Sequence, residues 1–182
     1  VKNKNLVAAN DFSFEGILAA KKEFLDNGID IDKDLNSLSY VGTYSKVVSD
    51  VVNGLYDVGI VRTGIIEEMV KNGTLTLDEI SVLNLSNSDF PLALSTQLYP
   101  EWSIAKTPHI SKDLGYEVAI ALLKLEKTDQ AAIDLDIAGW TISSNYQDVH
   151  TMIKLIGEAP YENYGSISLH NAIYYNRIFL II

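Results

Sequence analysis

Short runs rich in apolar residues alternate with helical apolar stripes over the first part of the chain. The runs lie at 6–9, 38–41 and 58–61. Each is followed by apolar side chains at helical spacing that stop at an Asn-Gly pair, at 27–28, 53–54 and 72–73. A short apolar run predicts a buried strand, and an Asn-Gly pair is typical of a helix end. The β-α-β-α-β-α order therefore predicts an α/β fold with a mainly parallel sheet and right-handed crossovers.

The second part of the chain is predicted to be mainly helical. One further strand is predicted at 80–85, and Pro91 indicates an edge strand or a crossover in the segment that follows. From residue 111 onward, apolar residues recur at helical spacing behind three polar caps, which are Ser111, Thr128 and Asn145. We place a lobe boundary near 84–91 and expect residues 111–156 to pack away from the sheet.

Charge and residue content exclude several classes of function. The formal net charge of −10 would repel a phosphate backbone, and no stripe of Lys and Arg offsets it, so nucleic acid is not expected as a partner. The chain has no cysteine, which excludes thiolate catalysis and disulfides. His109, His150 and His170 lack the spacing of metal ligands, and no GxSxG, P-loop or GxGxxG string occurs. We expect no metal, no cofactor and no catalytic residue.

Polar turns follow the three predicted strands, at 10–14, 42–45 and 61–64. The carboxyl ends of parallel strands share one sheet edge, where ligands usually bind and where the N–H groups of helix N-termini favour anions. Hydroxyls donate directional hydrogen bonds there, and a guanidinium binds an oxyanion with two parallel bonds. The candidate ligand-binding residues are Ser13, Phe14, Thr43, Tyr44, Ser45, Arg62 and Thr63. In the competing interpretation, the Ser and Thr residues of these turns are ordinary helix caps.

Several strings together resemble one family, the phosphate/phosphite/phosphonate-binding-protein-like family. The resemblance is carried by Phe12-Ser13, 28–30, Val41-Gly-Thr-Tyr-Ser45, 53–54 and 57–63. Three later strings, at 95–102, 138–141 and 145–150, are similar to the branch of that family that is fused to bacterial sensor histidine kinases. The resemblance covers the chain from Val1 to about Tyr161.

This resemblance implies a type II periplasmic-binding-protein fold, in which two α/β lobes close on a ligand. The family's leading β-α-β-α portion has no counterpart here, so the chain is expected to hold one complete lobe and the helical C-terminal part of the other. In transporter members, hydroxyls matching Ser13 and a polar residue matching 43–45 hold the phosphonate, and an acid near the third strand end meets an amino group. Arg62 occupies that vicinity in this chain, which argues against an aminoalkylphosphonate ligand.

The resemblance also implies a division of the chain and a place for it. We expect the second α/β lobe at 1–85, the hinge return and helices of the first lobe at 86–165, and a juxtamembrane segment at 166–182. The aromatic-to-apolar order of 174–182 is the order expected where a chain enters a bilayer, although a packed apolar strand or helix end is the competing interpretation. The location is then extracytoplasmic, with attachment to the cytoplasmic or inner membrane in the parent protein.

The expected function is that of the extracytoplasmic sensor domain of a membrane-bound histidine kinase that binds a small anionic solute. Its partners would be that solute, the cytoplasmic kinase region of the same parent chain and further copies of the chain in a homo-oligomer. Two alternatives are open: the solute-binding component of a phosphonate-type ABC transporter, and an enzyme on a similar two-lobed fold. The enzyme alternative lacks a positioned general base in the sequence.

Overall fold

The computed structural model describes residues 1–100, 103–135 and 137–166. Within these residues the chain divides into two compact units. The first consists of residues 1–98 together with 149–166, and the second consists of residues 99–148. The candidate site residues all belong to the first unit, which also contains the sheet.

Three parallel strands form the sheet, in the order β2-β1-β3. They are β1 (Asn5–Ala8), β2 (Ser37–Tyr40) and β3 (Val58–Gly59). Leu6 of β1 lies opposite Leu38 on one side and Val58 on the other. The predicted parallel sheet is confirmed, with its first strand at the centre.

Helices follow each strand, as the stripes predicted. A π-helical turn at Phe14–Leu18 runs directly into α1 (Ala19–Asp26), and α2 (Tyr44–Val52) and α3 (Ile65–Lys71) follow β2 and β3. All three helices end at the predicted Asn-Gly pairs, where the glycines have φ of +71°, +72° and +71°. A left-handed residue at this position is the usual way for an α-helix to end.

The core is organised around the two faces of β1. Side chains alternate along a strand, so Leu6 and Ala8 face one layer while Val7 faces the other. The first layer contains Ile17 of the π-helical turn, Ile31 and Ile60, and the second contains Val47 of α2. Because β1 is fully buried on both faces, its short apolar sequence is sufficient to hold helices on both sides of the sheet.

The strand predicted at 80–85 is wrong. Residues 80–85 form no strand, and Asn84 has a left-handed backbone with φ of +51°. The N–H of Ser86 instead bonds to the carbonyl of Leu94 at 2.7 Å, which closes a loop. A left-handed residue cannot continue the extended backbone of a ladder, so the apolar residues here serve a loop.

Two of the predicted helix caps also differ from the structure. Gly64, with φ of +94°, holds the N-cap position of α3 in place of Thr63. The fifth helix, α5 (Gln130–Leu135), is preceded by Asp129, whose carbonyl accepts from the N–H of Ile133, so Thr128 lies one residue too early to cap it. The left-handed turn at Gly64 decides the first case, since it redirects the chain after Thr63.

The caps predicted at Ser111 and Asn145 are confirmed. Ser111 Oγ accepts from the N–H of Leu114 at 3.1 Å at the start of α4 (Lys112–Leu123). Asn145 Oδ1 accepts from the N–H of Gln147 at 2.9 Å at the start of α6 (Gln147–Ile156). Both side chains satisfy backbone donors that have no partner within their helix.

Helix α4 buries none of its residues, although it is apolar around most of its circumference. Five of its large side chains are between 44 and 65% exposed: Leu114, Tyr116, Val118, Ile120 and Leu123. An apolar helix in water is expected to pack against another surface. The homo-oligomer expected from the sequence stays a prediction.

The last part of the segment 111–156 does not pack away from the sheet, contrary to the prediction. Residues 149–166 belong with residues 1–98, and Met152 and Ile156 of α6 are buried. Glu158, just after α6, pairs with Lys21 of α1 at 2.9 Å, and Lys21 also pairs with Asp32 at 2.8 Å. This three-residue ion network, which we call the Lys21 clasp, holds the returning chain on α1.

Close packing of β3 on α2 gives a test of the layer arrangement. A Cβ added at Gly59 would lie 2.7 Å from Val47 Cγ1 and 3.0 Å from Val51 Cγ2. We expect Gly59→Ala to lower the free energy of unfolding by about 1–3 kcal/mol, because valine side chains in a helix rarely change rotamer. The measurement is urea denaturation followed by circular dichroism.

Val47→Ala serves as the second arm of that test. The double variant Gly59→Ala/Val47→Ala should lose less than the sum of the two single losses, since the smaller side chain removes part of the clash. Strict additivity would show that β3 and α2 do not touch as the structure has them.

The Lys21 clasp makes a second prediction. Lys21→Met should lower the free energy of unfolding by about 1–2 kcal/mol. This loss is larger than that for an exposed ion pair, because the Lys21 side chain is only 16% exposed. It is smaller than that for a buried pair, because the Asp32 side chain is 60% exposed. Lys33→Met is the matched control, since the Lys33–Asp30 pair is on the surface and 79% of the lysine side chain is exposed. An equal loss in both variants would contradict the clasp.

The same clasp should lose its effect in alkaline solution. Burial alone would lower the pKa of Lys21, but the hydrogen bonds to Asp32 and Glu158 outweigh burial, and the pKa is raised. A pKa that is higher in the folded than in the unfolded protein stabilises the fold below the unfolded value and stops doing so as the pH rises through the folded value. The difference in urea midpoint between wild type and Lys21→Met should therefore be constant near neutral pH and shrink in strongly alkaline buffer.

Candidate functional site

The three turns predicted from the sequence meet at the carboxyl edge of the sheet. Backbone pairing continues past the strand ends, because the N–H of Val41 bonds to Ala8 at 3.1 Å and the N–H of Ile60 bonds to Val7 at 2.9 Å. The second turn (42–45) and the third turn (61–64) therefore start on either side of the first turn (10–14). This is the edge where open parallel sheets bind their ligands.

The first turn is shaped by Asn10. Its side-chain oxygen accepts from the N–H of Ser13 at 2.7 Å and from that of Phe12 at 3.2 Å. The carbonyl of Ser13 then accepts from both Ile17 and Leu18, at 3.1 and 3.3 Å, and this double acceptance produces the π-helical turn. Single π-helical turns are frequent at functional sites.

Ser13 occupies the N-cap position, but its side chain caps nothing. Its backbone is extended, with φ of −77° and ψ of 141°, and Oγ accepts no hydrogen bond from the helix. That oxygen is buried and has no hydrogen-bond partner in the part of the chain that the structure describes. A buried hydroxyl without a partner costs about 1–3 kcal/mol, so such an atom in a folded protein needs an explanation.

The hydroxyl of Ser13 approaches Gly16 and the second turn. A Cβ at Gly16 would lie 2.0 Å from Ser13 Oγ and 3.2 Å from the hydroxyl oxygen of Tyr44. Only glycine leaves room for both oxygens at this point. The structure thus brings two predicted site residues, Ser13 and Tyr44, together over the backbone of Gly16.

Thr43 acts as an ordinary helix cap, which was the competing interpretation of these hydroxyls. Its side chain accepts from the N–H of Lys46 at 3.4 Å, at the start of α2. Ser45 lies on the exposed first turn of the same helix. Lys46 does not add free positive charge to the edge, because its ammonium contacts both carboxylate oxygens of Asp50 at 2.8 Å.

Arg62 and Thr63 are exposed in the third turn. Arg62 forms no ion pair with any residue that the structure describes, whereas Lys21 and Lys46 of the neighbouring helices are both paired. Its guanidinium therefore remains available to an anion. Phe14, the remaining candidate, is half-buried at the start of the π-helical turn.

Negative charges flank the first turn as well. Asp11 and Glu15 lie two residues before and after Ser13. Burial raises the pKa of the Tyr40 phenol at the end of β2, and the charges of Asp11 and Asp32 raise it further. The phenol therefore stays protonated and adds no negative charge. The charge of an anion at this edge would be balanced by Arg62 and by neutral hydrogen-bond donors.

Two residues of the site were not identified from the sequence. Asn10 shapes the first turn and Gly16 makes room for the two hydroxyls. An Asn whose side chain can accept from the N–H groups two and three residues later is a recognisable signal for such a turn. Gly16 gave no comparable signal, because its role depends on Tyr44 from another turn.

The sequence of the chain matches one protein family over most of its length. The family is described as the periplasmic substrate-binding protein of a phosphonate ABC transporter, and the match covers residues 1–148. The chain belongs to this family. Comparison with curated proteins finds no match.

Family membership confirms the resemblance at the level of phosphonate-binding periplasmic proteins and the mixed α/β fold with its parallel sheet. It supports a solute-binding role outside the cytoplasm, and it fits the expectation that the chain is not an enzyme, since the family consists of binding proteins. Small anionic solutes such as phosphonate are the ligands of the family.

The structure bears on the expectations about a membrane segment and a metal site. None of the helices in the described ranges is long and apolar enough to cross a bilayer. Apart from residue 166, the juxtamembrane segment expected at 166–182 lies outside the described residues. The described His, Asp and Glu residues form no group of three or more that could hold a metal ion.

The stability of the ligand-free protein can show whether the Ser13 hydroxyl is a binding group or a helix cap. Thr43→Ala removes a cap and should lower the free energy of unfolding by about 0.5–1 kcal/mol. Ser13→Ala removes a buried oxygen without a partner and should leave the free energy of unfolding unchanged or raise it. Urea denaturation of the two variants under identical conditions makes the comparison, and a loss of stability in Ser13→Ala as large as that in Thr43→Ala would assign Ser13 a capping role.

Proposed function

We propose that the chain binds a small anionic solute at the carboxyl edge of its sheet and that this binding is the input of a membrane-bound sensor histidine kinase. The observation that carries the binding site is the buried, unpartnered Oγ of Ser13 beside the Tyr44 hydroxyl. A ligand oxygen placed there accepts from the Ser13 hydroxyl and removes the cost of leaving that donor without a partner.

The helix dipole supports the same position. The Ser13 side chain accepts no hydrogen bond from the helix formed by the π-helical turn and α1, which begins at this turn. The positive end of the helix dipole favours a negative charge there. On the side of the first turn, the ligand would therefore be bound by neutral groups.

Arg62 supplies the full positive charge of the proposed site. It follows β3, which pairs directly with β1, so the first and third turns start from neighbouring strands. A free guanidinium donates two parallel charge-assisted bonds to phosphonate, phosphate, sulfonate or carboxylate alike. A phosphonate is the first ligand to test, because the family is a phosphonate-binding one.

The sensor role and the transporter role share this site and differ in what the chain is joined to. The similarity of 95–102 and 145–150 to the sensor-kinase branch favours the sensor. The description of the family favours the solute-binding component of an ABC transporter, which is therefore the second candidate. The reading frame of the parent gene separates them: a membrane span and kinase region downstream support the sensor, and a stop codon after the binding module supports the transporter component.

Arg62→Ala tests the binding site. In isothermal titration of the full chain with methylphosphonate, we expect the affinity to fall by about tenfold or more, because one charge-assisted pair contributes about 1.5–3 kcal/mol. Lys71→Ala is the matched control, since Lys71 is an exposed cation at the far end of α3 and loses the same charge. Its affinity should change little.

Ser13→Ala completes the comparison. It should weaken methylphosphonate without lowering the stability of the ligand-free protein, which separates a lost contact from a damaged fold. Equal affinities in wild type, Arg62→Ala and Ser13→Ala would refute this site, even with the fold intact.

A further inference from the structure

A recess lies on the sheet-containing unit, away from the carboxyl edge. It has a volume of about 350 Å³ and lies between α1 and the loop that replaces the predicted strand. Its polar lining includes Glu23, Asn84, Ser86, Ser95 and Gln97. Glu23 is ten residues after Ser13 on the same continuous helix, which separates the two places by about 15 Å. We call this recess the Glu23 recess.

The walls of the Glu23 recess are held by hydrogen bonds. The side-chain amide of Asn84 donates to Glu23 Oε1 at 2.7 Å and to the carbonyl of Ser95 at 3.0 Å. The bond from Ser86 N–H to the carbonyl of Leu94 at 2.7 Å closes the loop that carries both serines. Asn84 reaches both partners from a left-handed backbone with φ of +51°, a conformation that is uncommon outside glycine. The shape of the recess is therefore fixed by hydrogen bonds within the loop and from the loop to α1.

Among the described residues, only one of the two carboxylate oxygens of Glu23 accepts hydrogen bonds. Oε1 accepts from Asn84 and, at 3.3 Å, from the side chain of Asn27. Among the described residues, Oε2 has no hydrogen-bond donor and Glu23 has no ion-pair partner. No lysine or arginine lines the recess, so its negative charge is not compensated there.

The rest of the polar lining is uncharged. It includes the side chains of Ser86, Ser95 and Gln97, each of which can accept a hydrogen bond beside the free oxygen of Glu23. A group with several N–H donors and a positive charge satisfies such a set, since charge-assisted hydrogen bonds to a carboxylate are the strong ones. The formal net charge of −10 attracts cations to the protein as a whole.

We propose that the Glu23 recess is a binding site for a small organic cation with a primary ammonium group, separate from the anion site. The ammonium donates to Glu23 Oε2 and to the neighbouring serine hydroxyls, while Asn84 keeps the carboxylate in place through Oε1. This proposal does not depend on the anion site or on the sensor role.

Putrescine is the probe, and 1,4-butanediol is its uncharged counterpart of similar length. The full chain is labelled with ¹⁵N, and amide resonances are followed during titration with each compound. We expect putrescine to shift the resonances of Asn84, Ser86 and Ser95, and butanediol to leave them in place. Glu23→Gln, which keeps the oxygen that Asn84 contacts, should weaken putrescine by about tenfold.

Glu68→Gln is the matched control, because Glu68 is an exposed acid on α3 outside the recess. It should leave putrescine binding at the recess unchanged. Three outcomes would overturn the proposal: equal binding of butanediol, equal binding by Glu23→Gln, or putrescine shifts spread over the acidic surface without a maximum at the recess. Unchanged circular dichroism of Glu23→Gln shows that a loss of binding is not a loss of fold.

Discussion

Pairing of β1 with a strand on each side is the constraint on which the rest of the structure depends. Leu6, Val7 and Ala8 are fully buried, and their backbone groups bond to β2 and β3 in parallel register. Parallel pairing with buried faces requires a crossover helix after each strand. The three polar turns must therefore leave from the same edge, and the candidate site exists because the central strand is placed in this way.

Two hydroxyls at corresponding places in the candidate site behave differently. Ser13 keeps a hydroxyl without a partner, while Thr43 at the corresponding place in the next turn uses its hydroxyl as a cap. Asn10 shapes the turn by accepting from the N–H of Ser13, and the Ser13 side chain lies against Gly16 and Tyr44 instead of capping the helix. A folded protein maintains such a polar atom at a cost, and function is the usual reason.

The first helix connects three features of the chain. Its start forms the first turn of the proposed anion site, its middle carries Lys21 of the clasp, and its last turns carry Glu23 of the recess. The clasp brings Glu158, which follows α6, to this helix. The first turn and the returning chain therefore both contact the same helix.

The sequence alone determined the alternation of strands and helices, the parallel sheet, the helix ends and the sheet edge where the three polar turns meet. These follow from short-range signals, since the period of apolar residues and the Asn-Gly pairs act within a few neighbours along the chain. Family membership also followed from the order of local strings, confirmed over residues 1–148. Tertiary structure decided the loop at 80–85, the displacement of Thr63 by Gly64 as the cap, and the return of residues 149–166 to the sheet unit. It also decided which hydroxyl has no partner. The surroundings of Ser13 Oγ are formed by Gly16 and by Tyr44, and Tyr44 comes to this place only after the chain has crossed the sheet.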